Sequence, residues 1–164
     1  MNDDKKNAII KILETAILEE IKAKEFYLKM STQLSNKEAQ SRFRHMAQAE
    51  REHEDILMSW YEETCGYPFD PSKIQSKEYK LDITEPEHNA SFLDIIKLIA
   101  KVENKAFLFY KEAAVLARTP EEKRMFERLA DLEQMHADQY RPEWQMLAND
   151  VVLHFKEEDI PWKV

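Results

Sequence analysis

The chain has 164 residues, enough for one domain with a substantial core, and it contains a single glycine. The scarcity of glycine, with abundant Glu, Lys, Ala and Leu, argues against a sheet protein built on tight turns and predicts an all-α fold. The formal net charge of -8, from 24 basic and 32 acidic residues, disfavours binding to nucleic acid or to anionic lipid.

Cysteine content and hydropathy restrict the protein further. Cys65 is the only cysteine, which excludes an intrachain disulfide, a four-cysteine iron site and a CxxC redox motif. The N-terminal stretch MNDDKKNAII lacks the apolar core of a signal peptide, and no uncharged apolar run of about 18 residues occurs. We therefore expect a cytoplasmic protein without a membrane role.

The first predicted element is an amphipathic helix over about residues 5–34, where apolar residues recur at spacings of three and four. Ser35 followed by Glu38 fits a capping box, which predicts a second helix over 37–65. Because the connection between them is short, these two helices should be antiparallel.

A long connection follows the second helix. Residues 66–90 hold the only glycine and three of the six prolines without sustained periodicity, and they predict a crossover. A third helix is predicted over about 91–117, with Asp94 at the capping position and apolar residues again spaced by three and four.

The fourth helix has the clearest start signal. Thr119, Pro120 and Glu122 supply a cap, a first-turn proline and a capping-box partner, which predicts a helix over about 120–149. Two helix pairs joined by one long crossover are the layout of a four-helix bundle. We expect this bundle to form a single domain over residues 1–164.

An internal repeat relates the two halves of the chain at an offset of 83 residues. Each half carries a Glu, a Tyr seven residues later and then a Glu-x-x-His pair. The matched residues are Glu20 with Glu103, Tyr27 with Tyr110, Glu50 with Glu133, and His53 with His136. A third Glu-x-x-His match, Glu85 to His88, contains Pro86 and falls in the predicted crossover, so it is not part of the repeat.

The repeated glutamates are level within each predicted helix pair, about 20 Å from the turn at a rise of 1.5 Å per residue. All four glutamates and both histidines can therefore converge in one layer of the bundle. Burying four carboxylates there without compensation would cost many kcal/mol, whereas two divalent cations would balance their charge. Such a donor set suits iron or manganese better than a thiolate-selecting metal. The alternative is that these are solvated surface glutamates with two ordinary helix histidines.

With these residues, the sequence resembles the rubrerythrin and ferritin-like di-iron family, specifically the bundle domain of rubrerythrins, over about residues 8–148. The resemblance implies a ferritin-like four-helix bundle that holds two iron ions, with manganese or a mixed pair as alternatives. It also implies six metal ligands in three roles: Glu50 and Glu133 as bridges, Glu20 and Glu103 as terminal carboxylates, and His53 and His136 as one imidazole for each metal.

The resemblance extends to two tyrosines and has two departures. Tyr27 and Tyr110 resemble the family's tyrosines that hydrogen-bond the ligand carboxylates and orient them, and core packing is the alternative. Rubrerythrins typically add a rubredoxin module with a four-cysteine iron, which one cysteine cannot make, so an external donor such as a rubredoxin-like protein or a reductase must supply electrons. Peroxidase-type rubrerythrins carry a further glutamate where this chain has Ala106.

Three functions follow as hypotheses. The resemblance implies a redox enzyme that reduces hydrogen peroxide or dioxygen at the two-metal centre. A ferroxidase that stores iron in a shell is the first alternative, disfavoured because no clear fifth helix follows residue 150. A structural or interaction protein with a vestigial site is the second, disfavoured because all six ligand positions are filled. Long helices in this family often pair into dimers, so we expect at least a homodimer.

Overall fold

The computed structural model describes residues 2–33, 37–74 and 92–150. These ranges contain four long helices and one short 3-10 helix: α1 (Asn2–Gln33), α2 (Lys37–Cys65), the 3-10 helix (Pro71–Lys73), α3 (Phe92–Leu116) and α4 (Pro120–Asp150). No strand occurs in the described ranges. The fold class is therefore all-α, as the sequence predicted.

The chain divides into two compact units, Met1–Ile83 and Thr84–Val164. Helix α1 packs against α2 in the first unit, and α3 packs against α4 in the second. These are the two helix pairs that the sequence predicted. None of the described helices is long and apolar enough to cross a membrane.

Both helix pairs are antiparallel, because contacts between the two helices join rising residue numbers on one to falling numbers on the other. In the first unit, Glu14 contacts Tyr61 and Lys24 contacts Glu54. In the second unit the same order holds, and the pairs are Glu103 with His136 and Tyr110 with Phe126. The antiparallel arrangement predicted for both helix pairs is therefore confirmed.

Apolar residues at helical spacing fill the interior. The largest fully buried side chains include aliphatic and aromatic residues from all four long helices: Ile9, Leu13, Ile17, Tyr27, Leu57, Ile96, Ile99, Tyr110, Phe126 and Leu129. Two glutamates, Glu50 and Glu103, belong to the same fully buried set. Carboxylates at such positions need hydrogen bonds, protons or a cation to offset the cost of burial.

Hydrogen bonds at the helix ends show which residues cap the helices. The hydroxyl of Thr119 accepts a hydrogen bond from the backbone amide of Glu122 at 3.1 Å, and the Glu122 carboxylate accepts one from the amide of Arg118 at 2.7 Å. Helix α4 begins at Pro120, so the predicted cap and first-turn proline are confirmed. Gly66 ends α2 with a φ of 81°, and its amide donates to the carbonyl of Glu62 at 2.7 Å.

One capping prediction was wrong. Helix α3 begins at Phe92, so Asp94 lies in its first turn and not at the cap. The physical reason is that an acidic side chain is favourable anywhere near the positive end of a helix, which makes cap and first turn hard to separate by sequence. The capping box predicted at Ser35 lies outside the described residues, as do most of the predicted crossover and the tail after residue 150.

Candidate metal-binding residues

The first triad consists of Glu20 on α1 and of Glu50 and His53 on α2. Glu50 and His53 project from one helix face because they are three residues apart, and the antiparallel pairing brings Glu20 opposite them. The Nδ1 atom of His53 lies 3.2 Å from Oε2 of Glu50 and 3.5 Å from Oε2 of Glu20. All three residues are buried, and one ligand atom from each lies within 4.8 Å of the other two.

The second triad consists of Glu103 on α3 and of Glu133 and His136 on α4. The Nδ1 atom of His136 lies 3.3 Å from Oε2 of Glu103 and 3.5 Å from Oε2 of Glu133. Both glutamates are 1% exposed, while the His136 side chain is 15% exposed. The second triad thus repeats the first in its helix positions and its distances, and its histidine is the more accessible of the two.

Burial controls the protonation of the second triad. Burial, followed by the nearby charge of Glu133, raises the pKa of Glu103 to about 8, although the hydrogen bond from His136 opposes this. Burial alone would lower the pKa of His136, but its hydrogen bonds to Glu103 and Glu133 and their charges raise it to about 9. Without a metal, the triad therefore retains protons at neutral pH, because two bare carboxylates are unfavourable in a buried site.

The donor atoms suit a divalent cation. Each triad offers two carboxylates and one imidazole close together, which is a donor set for iron or manganese and not for a metal that selects thiolates. A cation would take the place of the protons that the second triad otherwise holds. Each triad therefore fits a metal ion by its chemistry and its burial.

The two repeated tyrosines are completely enclosed, with exposures of 0% for Tyr27 and 1% for Tyr110. Each ring contacts two phenylalanines that the repeat also relates. The contacts are Phe26 at 5.3 Å and Phe43 at 6.0 Å for Tyr27, and Phe109 at 5.4 Å and Phe126 at 6.4 Å for Tyr110. Core packing is therefore one role of both residues, and the orientation of ligand carboxylates by their hydroxyls stays a prediction.

The first unit contains an ion pair between its two helices that the sequence analysis did not predict. Lys24 on α1 forms an ion pair with Glu54 on α2, next to His53 in the sequence, and both side chains are largely buried. The repeat places Phe107 and Ala137 at the matching positions of the second unit. The signal that could have revealed this pair is therefore a break in the repeat, where opposite charges replace two apolar residues.

An all-α chain with one buried Glu-Glu-His triad in each of two helix pairs belongs to the class of helical proteins with carboxylate-rich metal sites. The sequence matches the Rubrerythrin family over residues 11–143, and the chain belongs to that family. This confirms the resemblance inferred from the motifs. The ligand role of each of the six residues stays a prediction.

A solved structure has a similar fold. A hypothetical protein from Pyrococcus furiosus is 28% identical, with a TM-score of 0.65 over 86% of this chain and 90% of that chain. A comparison with curated proteins finds no match. The similarity to that structure supports the fold and carries no statement about activity.

Proposed function

We propose that the protein is a di-iron carboxylate oxidoreductase that reduces hydrogen peroxide or dioxygen with electrons from an external donor. In this proposal the six residues of the first and second triads would hold two metal ions. The observation that carries the proposal is the matched pair of buried Glu-Glu-His triads, one in each unit. Membership of the Rubrerythrin family supports the same conclusion.

The proposed ligands would have different roles in binding the two metals. Glu50 and Glu133, which each precede a histidine by one helical turn, would be the carboxylates shared by the two ions. Glu20 and Glu103 would each hold one ion and complete the charge balance, since four carboxylates offset two divalent cations. Two ferrous ions, when bound, supply the two electrons that reduce one molecule of peroxide.

Burial of the carboxylates has a chemical consequence. Glu20, Glu50, Glu103 and Glu133 are each 4% exposed or less. Such a site limits access of bulk water and strengthens every charge interaction inside it. His136 is the most exposed of the six proposed ligands, so small oxidants would approach most easily from its side.

The electron donor must be a separate molecule in this proposal. The single cysteine of the chain cannot build a four-cysteine iron site, so a rubredoxin-like protein or a reductase would supply the electrons. We also expect a homodimer.

The proposal is tested by loading the protein with ferrous iron without oxygen and mixing it with peroxide or dioxygen in a stopped-flow instrument. We expect optical changes of iron oxidation with one peroxide consumed for every two ferrous ions. The Glu50→Ala variant should lose this reaction. Glu52→Ala is the matched control, because Glu52 lies on the same helix but is exposed to solvent. Its carboxylate accepts a hydrogen bond from the side-chain amide of Gln48.

Two results would overturn the proposal. Failure of the iron-loaded protein to react with either oxidant would exclude the redox enzyme. Uptake of many more than two irons per chain, in an assembly that elutes as a large shell, would instead establish the ferroxidase and storage function.

A further inference from the structure

Tyr61, near the end of α2, belongs to a cluster outside the two triads. Its side chain is buried, and its ring meets those of Tyr67 and Phe69 edge to face, with ring centroids 6.0 Å and 5.3 Å apart. Tyr67 is 58% exposed. The three rings therefore form a continuous aromatic contact from the interior of the first unit to the solvent.

The hydroxyl of Tyr61 has a proton acceptor beside it. It donates a hydrogen bond of 3.3 Å to Oε1 of Glu14, which lies across the helix pair on α1. Burial, then hydrogen bonds with Tyr67 and Cys65 and the charge of Glu14, raise the pKa of Tyr61 above its ordinary value. The phenol therefore stays protonated at neutral pH, with a carboxylate in position to take its proton if the ring loses an electron.

This arrangement is specific to the first unit. The repeat relates Glu14 to Lys97 and Tyr61 to Trp144, so the phenol and carboxylate pair has no counterpart in the second unit. A duplicated bundle does not need this pair for its architecture. A buried side chain required only for packing at this position could be phenylalanine, which would bury no hydroxyl.

We propose that Tyr61 is a redox-active tyrosine that carries oxidising equivalents from the interior of the first unit to Tyr67 at the surface. The proposal rests on the proposed function only for the source of those equivalents, which is hydrogen peroxide in excess of the one molecule that two ferrous ions reduce. Tyr61 follows His53 by eight residues on α2, about 12 Å along the helix axis at 1.5 Å per residue. Electrons tunnel directly over such a distance in proteins.

The transfer balances in electrons and protons. One electron leaves Tyr61 for the excess peroxide while the phenolic proton moves to the Glu14 carboxylate, which leaves a neutral tyrosyl radical. Two such electrons, with two protons from water, reduce one molecule of peroxide to two molecules of water. Tyr67 then returns an electron, Glu14 returns the proton, and Tyr61 is restored. Tyr67 releases its own phenolic proton to water. A one-electron reductant in solution, with a proton from water, restores Tyr67 and ends the sequence.

Flash photo-oxidation of the full chain tests the relay without iron chemistry. The protein is loaded with zinc, which is redox-inert, and oxidised by a photoexcited ruthenium tris-bipyridine complex with persulfate as the electron acceptor. We expect a tyrosyl radical in electron paramagnetic resonance spectra. Tyr61→Phe should lose the component of this signal that comes from a buried ring, and Tyr67→Phe should prolong the lifetime of that component. Tyr140→Phe, which removes another buried tyrosine in the second unit, is the matched control and should leave the signal unchanged.

A second variant keeps Tyr61 and changes only the proton acceptor. Glu14→Gln should slow radical formation and alter its solvent isotope effect, because the phenolic proton then has no carboxylate to receive it. A signal that persists unchanged in both Tyr61→Phe and Glu14→Gln would overturn the relay. So would oxidation confined to Trp60 or Cys65, as mapped by mass spectrometry of peptides.

An iron arm separates this proposal from the proposed function. The di-ferrous protein is treated with a spin trap and with more peroxide than its ferrous ions can reduce, and the trapped residues are identified. Adducts at Tyr67 that disappear in Tyr61→Phe support the relay. Equal adducts in both proteins, with normal peroxide consumption, would refute the relay and leave the enzyme function standing. A relay present under photo-oxidation in a protein that ignores peroxide would refute the enzyme function alone.

Discussion

The Nδ1 atom of His136 lies 3.3 Å from Oε2 of Glu103, although the two residues belong to different helices of a pair. The same relationship joins His53 to Glu20 at 3.5 Å in the other unit. In both cases a glutamate from the first helix of the pair meets the Glu-x-x-His face of the second. The same geometry therefore occurs in both units, which makes these residues the first to substitute in metal-binding experiments.

Metal content should depend on the proposed bridges. After iron loading, we expect two metals per chain, and Glu50→Ala or Glu133→Ala should lose both because each carboxylate would contact both ions. Metal analysis after gel filtration measures this, with the exposed Glu52→Ala as the control. Two tightly bound metals in either bridge variant would contradict the assignment.

Removal of the metals should lower the melting temperature. Metal binds the folded protein in preference to the unfolded chain, and a ligand at a hundred times its Kd stabilises the folded state by about 2.7 kcal/mol. Its departure also leaves crowded, buried carboxylates. Calorimetry of loaded and chelated protein at one pH measures the effect. Equal melting temperatures would show that the metals contribute nothing to the stability of the fold.

The metal-free protein should lose stability as pH rises. The pKa of Glu103 is raised from 4.5 to about 8, and that of His136 from 6.5 to about 9. A raised folded-state pKa contributes stability below the unfolded value, and this contribution disappears as pH rises through the folded value. The free energy of unfolding should therefore fall between about pH 4.5 and pH 9. Urea titrations across this range measure it.

Substitution within the second triad provides the control for that slope. Glu103→Gln removes the raised carboxyl and weakens the interaction that raises the pKa of His136, so its stability should vary less over the same range. A wild-type protein whose stability increases steadily towards pH 9, or a Glu103→Gln variant with the same slope, would contradict the protonation of the triad described above.

The cap of α4 should contribute measurably to stability. Thr119→Ala removes the acceptor for the amide of Glu122 and should cost about 1 kcal/mol in the free energy of unfolding. Thr32→Ala is a suitable control, because Thr32 is an exposed threonine near the end of α1. Its hydroxyl donates a hydrogen bond to the carbonyl of Lys29 in the same helix. Denaturant unfolding compares the two variants.

The preference between oxidants should depend on Ala106. Ala106 follows Glu103 by three residues on α3, and peroxidase-type rubrerythrins carry a further glutamate at this position. We expect the reduced protein to consume peroxide but to discriminate less against dioxygen than such rubrerythrins do. Ala106→Glu should shift the preference towards peroxide, and Ala106→Gln is the control of nearly equal size without the charge.

Stopped-flow rates for each oxidant measure this preference. A wild-type protein that reacts with peroxide faster than with dioxygen by several orders of magnitude would show that Ala106 is not the deciding difference. An Ala106→Glu variant that behaves like Ala106→Gln would lead to the same conclusion.

The helices and the candidate ligands could be predicted because their signals are local or repeated. Helix α2 begins and ends at the predicted residues 37 and 65, because Ser35 with Glu38 indicates its start and the only glycine of the chain opens the connection after it. Thr119 with Pro120 marks the start of α4. The repeat at an offset of 83 residues identified Glu20, Glu103 and the two Glu-x-x-His pairs from residue order alone. Asp94 was misplaced because first-turn and cap positions share the same electrostatic preference.

The sequence by itself determined the all-α class, the helix pairs and the six repeated Glu and His positions, because helical periodicity and an internal repeat are properties of residue order. Only the tertiary structure decided the contacts that depart from the repeat, Lys24 with Glu54 and Glu14 with Tyr61, since each joins two helices and residue order does not say which side chains meet. It also decided the protonation of the second triad. Burial and the distance between Nδ1 of His136 and Oε2 of Glu103 control that, and neither is a property of residue order.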